Sequence, residues 1–182
     1  MESNQKMRIV SGNLKGKKIF YKKTINTRPL RDQVKESIFN IIDHSKLTEV
    51  KIRESEVLDL YSGTGSFGLE CLSRGSDNVF FFENYQNSLK ILKQNIFNLK
   101  LEKRTTIYNE SAYNLENLEF KKIIFDIIFL DPPFKNEDLN YLLQDIYNKK
   151  IIKKESLVII HRHKNANDLI PKTFKIIEQK KY

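Results

Sequence analysis

Cysteine, histidine, glycine and proline are scarce in this chain of 182 residues, and long apolar runs are missing. Cys71 is the single cysteine, so an internal disulfide and any metal site built from several cysteines are excluded. No apolar run reaches the length that crosses a bilayer, and residues 1–6 are not followed by the apolar core of a secretory signal. These absences predict a cytoplasmic protein that does not bind or enter a membrane.

Positive charge is unevenly distributed along the chain, which carries a net charge of +9. Residues 1–31 hold nine Lys or Arg and one acidic residue, and residues 149–182 hold ten Lys or Arg and three acidic residues. Residues 32–148 hold 13 basic and 19 acidic residues, so the middle of the chain is negative. Basic ends around an acidic middle predict that the ends grip a polyanion such as a nucleic acid. Lysines kept on the surface for solubility are the alternative.

The basic start of the chain is predicted to fold as a small hairpin followed by a helix. Residues 7–12 and 16–21 have the pattern of two short strands, with glycine at both ends of the turn between them. Pro29 suits the first turn of an amphipathic helix. We predict that the hairpin is a flexible basic arm that contacts phosphates. The candidate contact residues of this segment are Arg8, Lys15, Lys17, Lys18, Arg28 and Arg31.

A glycine-rich turn at 62–68 is the centre of the chain, with a predicted strand at 57–61 before it and a predicted helix after it. A second strand at 79–83 ends on Glu83. This arrangement is typical of a nucleotide site, in which glycines let the backbone approach the ligand and the acid binds ribose hydroxyls. The candidate cofactor contacts, including a loop after a third strand, are Asp59, Tyr61, Ser62, Gly63, Gly65, Glu83, Asn84, Ser111 and Ala112.

The glycine turn alone leaves two cofactors open. Gly63, Gly65 and Gly68 fit the G-x-G-x-x-G pattern of dinucleotide sites, so a nicotinamide cofactor is one candidate. Asp59 lies four residues before the first glycine, where a carboxylate would repel a pyrophosphate. A ligand with an ammonium and a sulfonium group would be attracted instead, which favours S-adenosylmethionine.

The rest of the chain continues to alternate between strands and helices. Further strands are predicted at 105–108, 125–130, 156–160 and 173–178, and apolar stripes at 89–99 and 139–146 indicate helices. This alternation predicts an α/β fold with a Rossmann-like, mostly parallel sheet and helices on both faces. We expect one domain over residues 1–182, with residues 1–31 as a basic N-terminal extension that binds nucleic acid.

The strand at 125–130 leads directly into Asp131-Pro132-Pro133-Phe134. Each proline fixes its own φ near −65°, and the residue before a proline is pushed towards an extended conformation. The four residues therefore predict a rigid corner that holds a carboxylate, a backbone carbonyl and an aromatic ring against one small planar group. A simple end to the strand is the alternative for a Pro-Pro pair alone.

These motifs together resemble a known family. Asp59-x-x-x-Gly63-x-Gly65, Glu83 and Asp131-Pro132-Pro133-Phe134 resemble class I S-adenosylmethionine-dependent methyltransferases that act on amino groups. The leader narrows the resemblance to the bacterial 16S ribosomal RNA guanine-N2 methyltransferase family. The leader motifs are Arg8-Ile9-Val10-Ser11-Gly12, Gly16-Lys17-Lys18-Ile19 and Arg28-Pro29-x-x-Asp32-x-Val34-Lys35-Glu36-Ser37-Ile38-Phe39-Asn40. The resemblance covers nearly the whole chain.

The resemblance implies a seven-stranded mixed sheet with a small N-terminal hairpin, and S-adenosylmethionine as the methyl donor, with S-adenosylhomocysteine as its product. It implies a guanine of 16S rRNA as the substrate, within a small ribosomal subunit or an assembly intermediate. A monomer without a metal is expected. Family members continue past Lys181-Tyr182 with a glycine and a final antiparallel strand, so we expect that strand to be absent or incomplete here.

The acidic corner suits an exocyclic guanine amine, which is a poor nucleophile because its lone pair is delocalised into the ring. Asp131 and the Pro132 carbonyl are expected to accept its two N–H groups and aim the nitrogen at the methyl group. Phe134 would stack on the flipped base, an interaction worth about 1–3 kcal/mol. Pro132 and Pro133 would keep the corner rigid.

Other functions remain open from sequence alone. Adenine-N6 in DNA and a protein glutamine are alternative methyl acceptors for the same acidic corner. A nicotinamide-dependent oxidoreductase and an RNA-binding module with a vestigial site are the alternatives of other classes. His161 and His163 form a His-x-His pair without a further ligand, so a loop or RNA-facing pair is expected rather than a metal site. Cys71 is expected to be a small buried helix residue.

Overall fold

The computed structural model describes residues 5–21, 30, 32–115, 123–133, 138–163 and 165–181. Its first two strands pair antiparallel as a small hairpin, and its other five strands form one parallel sheet. The hairpin consists of β1 (Gln5–Arg8) and β2 (Lys18–Tyr21). The parallel strands are β3 (Glu56–Leu60), β4 (Asn78–Phe82), β5 (Thr105–Tyr108), β6 (Phe125–Leu130) and β7 (Ile152–Ile160).

The strands of the parallel sheet lie in the order β5-β4-β3-β6-β7. The chain runs outward from β3 to β5 and then returns to the other side of β3, so the order reverses between β3 and β6. Residues 57–60 and 79–82 are buried without alternation, as expected where both faces of a parallel sheet are covered. Ligands bind α/β sheets at such a reversal, beside the carboxyl ends of the strands.

The helices cover the two faces of the sheet unequally. They are α1 (Asp32–His44), α2 (Ser66–Arg74), α3 (Gln86–Leu99) and α4 (Leu139–Asn148). Apolar residues of α1, α2 and α3 form one buried cluster, and those of α4 form a second cluster on the opposite face. The predicted Rossmann-like fold and basic hairpin are confirmed. Among the described residues, none of the helices has the length and apolarity needed to cross a bilayer.

The C-terminal segment differs from the prediction. Residues 173–178 do not form a strand, and the described residues contain five strands of the central sheet rather than the seven implied by the resemblance. Phe174 instead joins the apolar cluster beneath α4, where its ring lies 6.4 Å from that of Tyr147, measured between centroids. An alternating pattern needs a neighbouring strand to pair with, and here packing against α4 holds Phe174 while Ile176 stays 63% exposed.

The hairpin is fixed to the sheet domain by buried contacts and is not the flexible arm that was predicted. Ile9 and Ile19 are 0% and 1% exposed and belong to the apolar cluster of α1, α2 and α3. The carboxylate of Glu70, on α2, is fully buried and accepts hydrogen bonds from the backbone N–H groups of Val10 and Ser11, both at 2.8 Å. Docking therefore uses apolar burial and a charge-assisted clamp.

Two further polar side chains define the direction of the hairpin. Ser73 Oγ, near the end of α2, accepts from Leu14 N and donates to Ser11 O. Asn95 of α3 accepts from Phe20 N and donates to Phe20 O. Because α2 runs away from the carboxyl edge of the sheet, the turn of the hairpin lies at the amino edge.

Removing the Glu70 clamp is expected to destabilise the protein far more than removing an exposed acid. Glu70→Ala leaves two backbone N–H groups without their acceptor and removes one of the two carboxylates that bind the guanidinium of Arg74, at 3.1 Å from Glu70 Oε1. Loss of one partner of a buried ion pair costs about 3–5 kcal/mol. Glu54→Ala, which removes an acid whose side chain is 75% exposed, is the control and should cost less than about 1 kcal/mol. Urea unfolding measures both; similar losses would contradict the clamp.

Candidate active site at the reversal of the sheet

The turn after β3 places its backbone in conformations that need glycine. Gly63 and Gly65 have φ angles of 56° and 86°, in the left-handed region. A Cβ on Gly65 would lie 2.5 Å from Leu92 Cδ1, so this position is also closed by packing. A Cβ on Gly63 would meet nothing within 4 Å, so the backbone at Gly63 borders open space. The turn thus presents bare backbone on one side and packs tightly on the other.

Asp59 lies within β3 and is 1% exposed. Its Oδ2 accepts a hydrogen bond from Gly68 N at 3.0 Å, whereas its buried Oδ1 has no hydrogen-bond partner among the described residues. Burial raises the pKa of the Asp59 carboxyl well above its ordinary value, and the negative charges of Asp131 and Glu83 raise it further. The structure therefore holds a buried carboxylate oxygen that lacks a donor, a feature that a cationic ligand would relieve.

Glu83 joins the end of β4 to the glycine turn. Its Oε2 accepts from Gly63 N at 2.7 Å and its Oε1 accepts from Tyr85 N at 2.7 Å. Partial burial raises the pKa of Glu83, and these backbone N–H groups oppose the shift. The backbone N–H of Asn84 also contacts this carboxylate. A carboxylate offers about four acceptor positions, so a polar ligand at this edge still finds an acceptor.

The loop that follows β5 meets Glu83 across a small cavity of about 30 Å³. Five of the predicted cofactor contacts line this cavity. These five residues come from three separate segments of the sequence. The lining residues are Tyr61, Phe82, Glu83, Asn84, Glu110, Ser111 and Ala112. Glu110 was not predicted, because a single acid in a polar loop carries no pattern of its own. The structure thus brings the glycine turn, the acid after β4 and the loop after β5 together.

The acidic corner lies beside the glycine turn because β3 and β6 are neighbours. Leu60 pairs with Leu130, so the residues that follow each of them leave the same edge of the sheet. Asp131 is the first residue after β6, and its side chain is 28% exposed. Pro132 and Pro133 follow it, whereas Phe134 lies outside the described residues.

Two residues after β7 contact this corner and were not predicted to do so. His161 Nδ1 lies 2.8 Å from Asp131 Oδ1. Arg162 donates to Pro133 O at 3.2 Å and forms an ion pair with Asp168 through two hydrogen bonds. The His-x-His spacing drew attention to metal binding, but the signal that would have found these contacts is the position of His161 at the end of the strand beside β6.

The candidate RNA-binding residues lie in different parts of the structure, and two of them are outside the described residues. Lys15, Lys17 and Lys18 are exposed on the hairpin, and Lys15 and Lys17 belong to its turn at the amino edge, away from the glycine turn. Arg8 has a side chain that is 69% exposed and lies 3.8 Å from the carboxylate of Asp32. Arg28 and Arg31 lie outside the described residues. The described lysines of the turn are therefore separated from the acidic corner by the height of the sheet.

A family model described as conserved hypothetical protein 95 matches residues 7–182 of this chain. The chain belongs to this family. A relative in Buchnera aphidicola, named ribosomal RNA small subunit methyltransferase D, is 33% identical over 181 residues, covering 97% of this chain and 88% of the relative. The resemblance inferred from the motifs is thereby confirmed.

Solved structures of similar proteins have the same fold. A protein of Escherichia coli described as a methyltransferase has a TM-score of 0.75 and 25% identity, covering 92% of this chain and 87% of its own. A protein of Haemophilus influenzae described as a methylase has a TM-score of 0.72 and 27% identity, covering 98% of this chain and 93% of its own. The family members therefore share the parallel sheet on which the acidic corner is built.

The buried carboxylate of Asp59 is expected to lower the stability of the ligand-free protein as the pH rises. A carboxyl whose pKa is raised by folding binds more protons in the folded chain, so folding becomes less favourable between its ordinary pKa, near 3.8, and its raised value. Asp59→Asn removes this titration. The free energy of unfolding of the variant, minus that of the wild type, should therefore increase as the pH rises from about 4 to 8.

Urea unfolding of both ligand-free proteins across this pH range measures the difference directly. Glu83 also has a raised pKa, but it is present in both proteins and largely cancels. A difference that stays constant or decreases with rising pH would contradict the burial of an ionisable Asp59.

Proposed function

We propose that this chain transfers a methyl group from S-adenosylmethionine to the exocyclic N2 amine of a guanine in small-subunit (16S) ribosomal RNA. The observation that carries the proposal is the position of Asp131 and the Pro132 carbonyl, two hydrogen-bond acceptors beside the glycine turn at the reversal of the sheet. The name of the relative in Buchnera aphidicola supports ribosomal RNA as the substrate.

The chemistry of the described residues fits S-adenosylmethionine. The Asp59 oxygen without a partner suits the ammonium group of the amino-acid moiety, and the open backbone at Gly63 allows close approach. Glu83 would accept the ribose hydroxyls while backbone N–H groups hold its carboxylate in place. Ser111 and Ala112 would border the adenine, whose entry requires the cavity of about 30 Å³ to widen. The same Asp59 carboxylate disfavours the pyrophosphate of a nicotinamide cofactor.

The acidic corner would act on the guanine by orientation and hydrogen bonding. When bound, the cofactor supplies an electrophilic methyl group on a sulfonium sulfur. Asp131 and the Pro132 carbonyl would accept the two N–H groups of the amine and aim the nitrogen at that methyl group. The new bond forms between nitrogen and carbon, the carbon–sulfur pair stays with sulfur, and the extra proton of the amine passes to Asp131 or solvent. Alignment of this kind supplies much of the rate of such a reaction.

The basic hairpin would hold the RNA backbone while the corner receives the base. Strands rise about 3.3 Å per residue, so β2 and the turn before it extend across much of the height of the sheet. Lysines at the turn would contact phosphates at the amino edge while the target base enters at the carboxyl edge. A rigid hairpin fixes the distance between these two contacts, which suits a folded RNA or a ribosomal subunit. We propose that the enzyme acts as a monomer on such a particle.

The cofactor assignment is tested by ligand-induced stabilisation. S-adenosylhomocysteine is expected to raise the melting temperature of the wild type, because it binds only the folded state. At a ligand concentration of a hundred times Kd, the free energy of unfolding rises by about 2.7 kcal/mol. NADH at the same concentration should leave the melting temperature unchanged. Asp59→Asn should lose most of the shift. A larger shift with NADH than with S-adenosylhomocysteine would overturn the assignment.

The role of the corner is tested by removing its carboxylate. Asp131→Ala is expected to lower methyl transfer to small-subunit RNA by at least about 10²-fold, because the amine loses an acceptor and its orientation. The affinity for S-adenosylhomocysteine should stay within about threefold, since Asp131 lies on the substrate side. Asp145→Ala, which removes an acid paired with Lys149 on α4, is the control and should be fully active. Equal loss of transfer and cofactor affinity would contradict this assignment.

A further inference from the structure

His161 is held beside the acidic corner by the central sheet. Leu130 pairs with Ile160 at the ends of β6 and β7, and the chain continues from them into Asp131 and His161. The backbone N–H of His161 donates to Leu130 O at 2.9 Å, which extends the strand pairing by one step. The imidazole is thus fixed at its backbone, and its Nδ1 lies 2.8 Å from Asp131 Oδ1.

The chemistry of the pair determines which atom carries the hydrogen. An ionised carboxylate only accepts hydrogen bonds, so the contact with Asp131 requires a hydrogen on His161 Nδ1. This bond occupies Oδ1 and sets the rotation of the carboxylate. Oδ2 accepts from no donor among the described residues, so it is the oxygen left for a substrate N–H.

We propose that His161 is a positioning residue that orients the Asp131 carboxylate towards the methyl-accepting amine. The inference rests on the proposed function, because it concerns the acceptor corner of that site. His161 acts through Asp131, by holding Oδ1 so that Oδ2 faces the substrate.

A purely stabilising role does not account for the pair. The two side chains are 34% and 28% exposed, and ion pairs in contact with water contribute little to the free energy of folding. Orientation has a larger effect on rate, because a displacement of about 1 Å in a reacting group can cost about 10²-fold. Removing the imidazole should therefore change turnover much more than stability.

Four variants separate orientation from other effects. His161→Ala removes the donor, His161→Asn places an amide N–H near the position of Nδ1, and His161→Gln places one near the position of Nε2. His44→Ala removes an exposed imidazole at the end of α1 and serves as the control. Methyl transfer to small ribosomal subunits is measured for each variant at varied cofactor and subunit concentrations.

The expected result is a loss in kcat that follows the position of the donor. His161→Ala and His161→Gln should lower kcat by about 10- to 100-fold with KM values within about threefold. His161→Asn should recover most of kcat, and His44→Ala should match the wild type. A kcat for His161→Ala close to that of the wild type would overturn the inference, as would equal kcat values for the Asn and Gln variants. If His161→Ala does not fold, the comparison of Asn with Gln decides.

A second measurement does not depend on catalysis. Long-range ¹H–¹⁵N NMR of the wild type should show His161 with a hydrogen on Nδ1, and Asp131→Ala should shift that resonance. A neutral ring with its hydrogen on Nε2 alone would overturn the inference even in an active enzyme. A wild type that shows the Nδ1 hydrogen but transfers no methyl group to small-subunit RNA would overturn the proposed function, and the orienting role with it.

Discussion

The pairing of β3 with β4 on one side and β6 on the other is the constraint on which the site depends. Leu60 pairs with Phe82 on one side and with Leu130 on the other, so the three strands end together at the carboxyl edge of the sheet. Their next residues are therefore the glycine turn, Glu83 and Asp131. No long loop is needed to assemble these groups, because the sheet itself sets their separation.

This strand pairing places three carboxyl groups close together at a partly buried site, where burial disfavours their charged form. Burial raises the pKa of both Asp59 and Glu83, and the negative charges of Asp131 and Glu83 raise the pKa of Asp59 further. A site with buried, unneutralised carboxylates is less stable than an apolar equivalent would be. The glycine turn and the backbone N–H groups around Glu83 compensate in part, since they fix the carboxylate without neutralising it.

Because the hairpin is docked on the sheet domain, its basic residues have fixed positions relative to the glycine turn. Lys15, Lys17 and Lys18 belong to a docked surface, because Glu70 and Asn95 tie the hairpin to α2 and α3. Asn95 also donates to Thr64 O at 3.0 Å, so one buried side chain contacts both the hairpin and the glycine turn. The proposed contacts of RNA with the hairpin would thus be made at a fixed distance from the glycine turn.

Local patterns in the sequence were enough to predict the five described strands of the parallel sheet and the glycine turn. Largely apolar runs before Tyr61, Glu83 and Asp131 indicated buried strands, and the structure confirms them. Contacts between distant segments could not be predicted in the same way. The acceptors that dock the hairpin lie about 60 residues away from it, and nothing in a helix sequence distinguishes Glu70 from an exposed acid.

The partners of the acidic corner were missed for a related reason. His161 becomes a neighbour of Asp131 only when β7 pairs with β6 in the observed register, and a histidine pair first suggests a metal. The segment at 173–178 shows the opposite error, since an alternating apolar pattern predicted a strand where packing against α4 prevails. Both errors arise because strand pairing and helix packing are decided between segments.

Identification of the methylated base is the most direct test of the account. Small ribosomal subunits and free 16S RNA that lack the modification are incubated with the protein and isotopically labelled S-adenosylmethionine, and the RNA is then digested to nucleosides for mass spectrometry. The account predicts label in N2-methylguanosine, with the wild type active and Asp131→Ala inactive. Label in another nucleoside, in DNA or in protein but absent from guanine-N2, would contradict it.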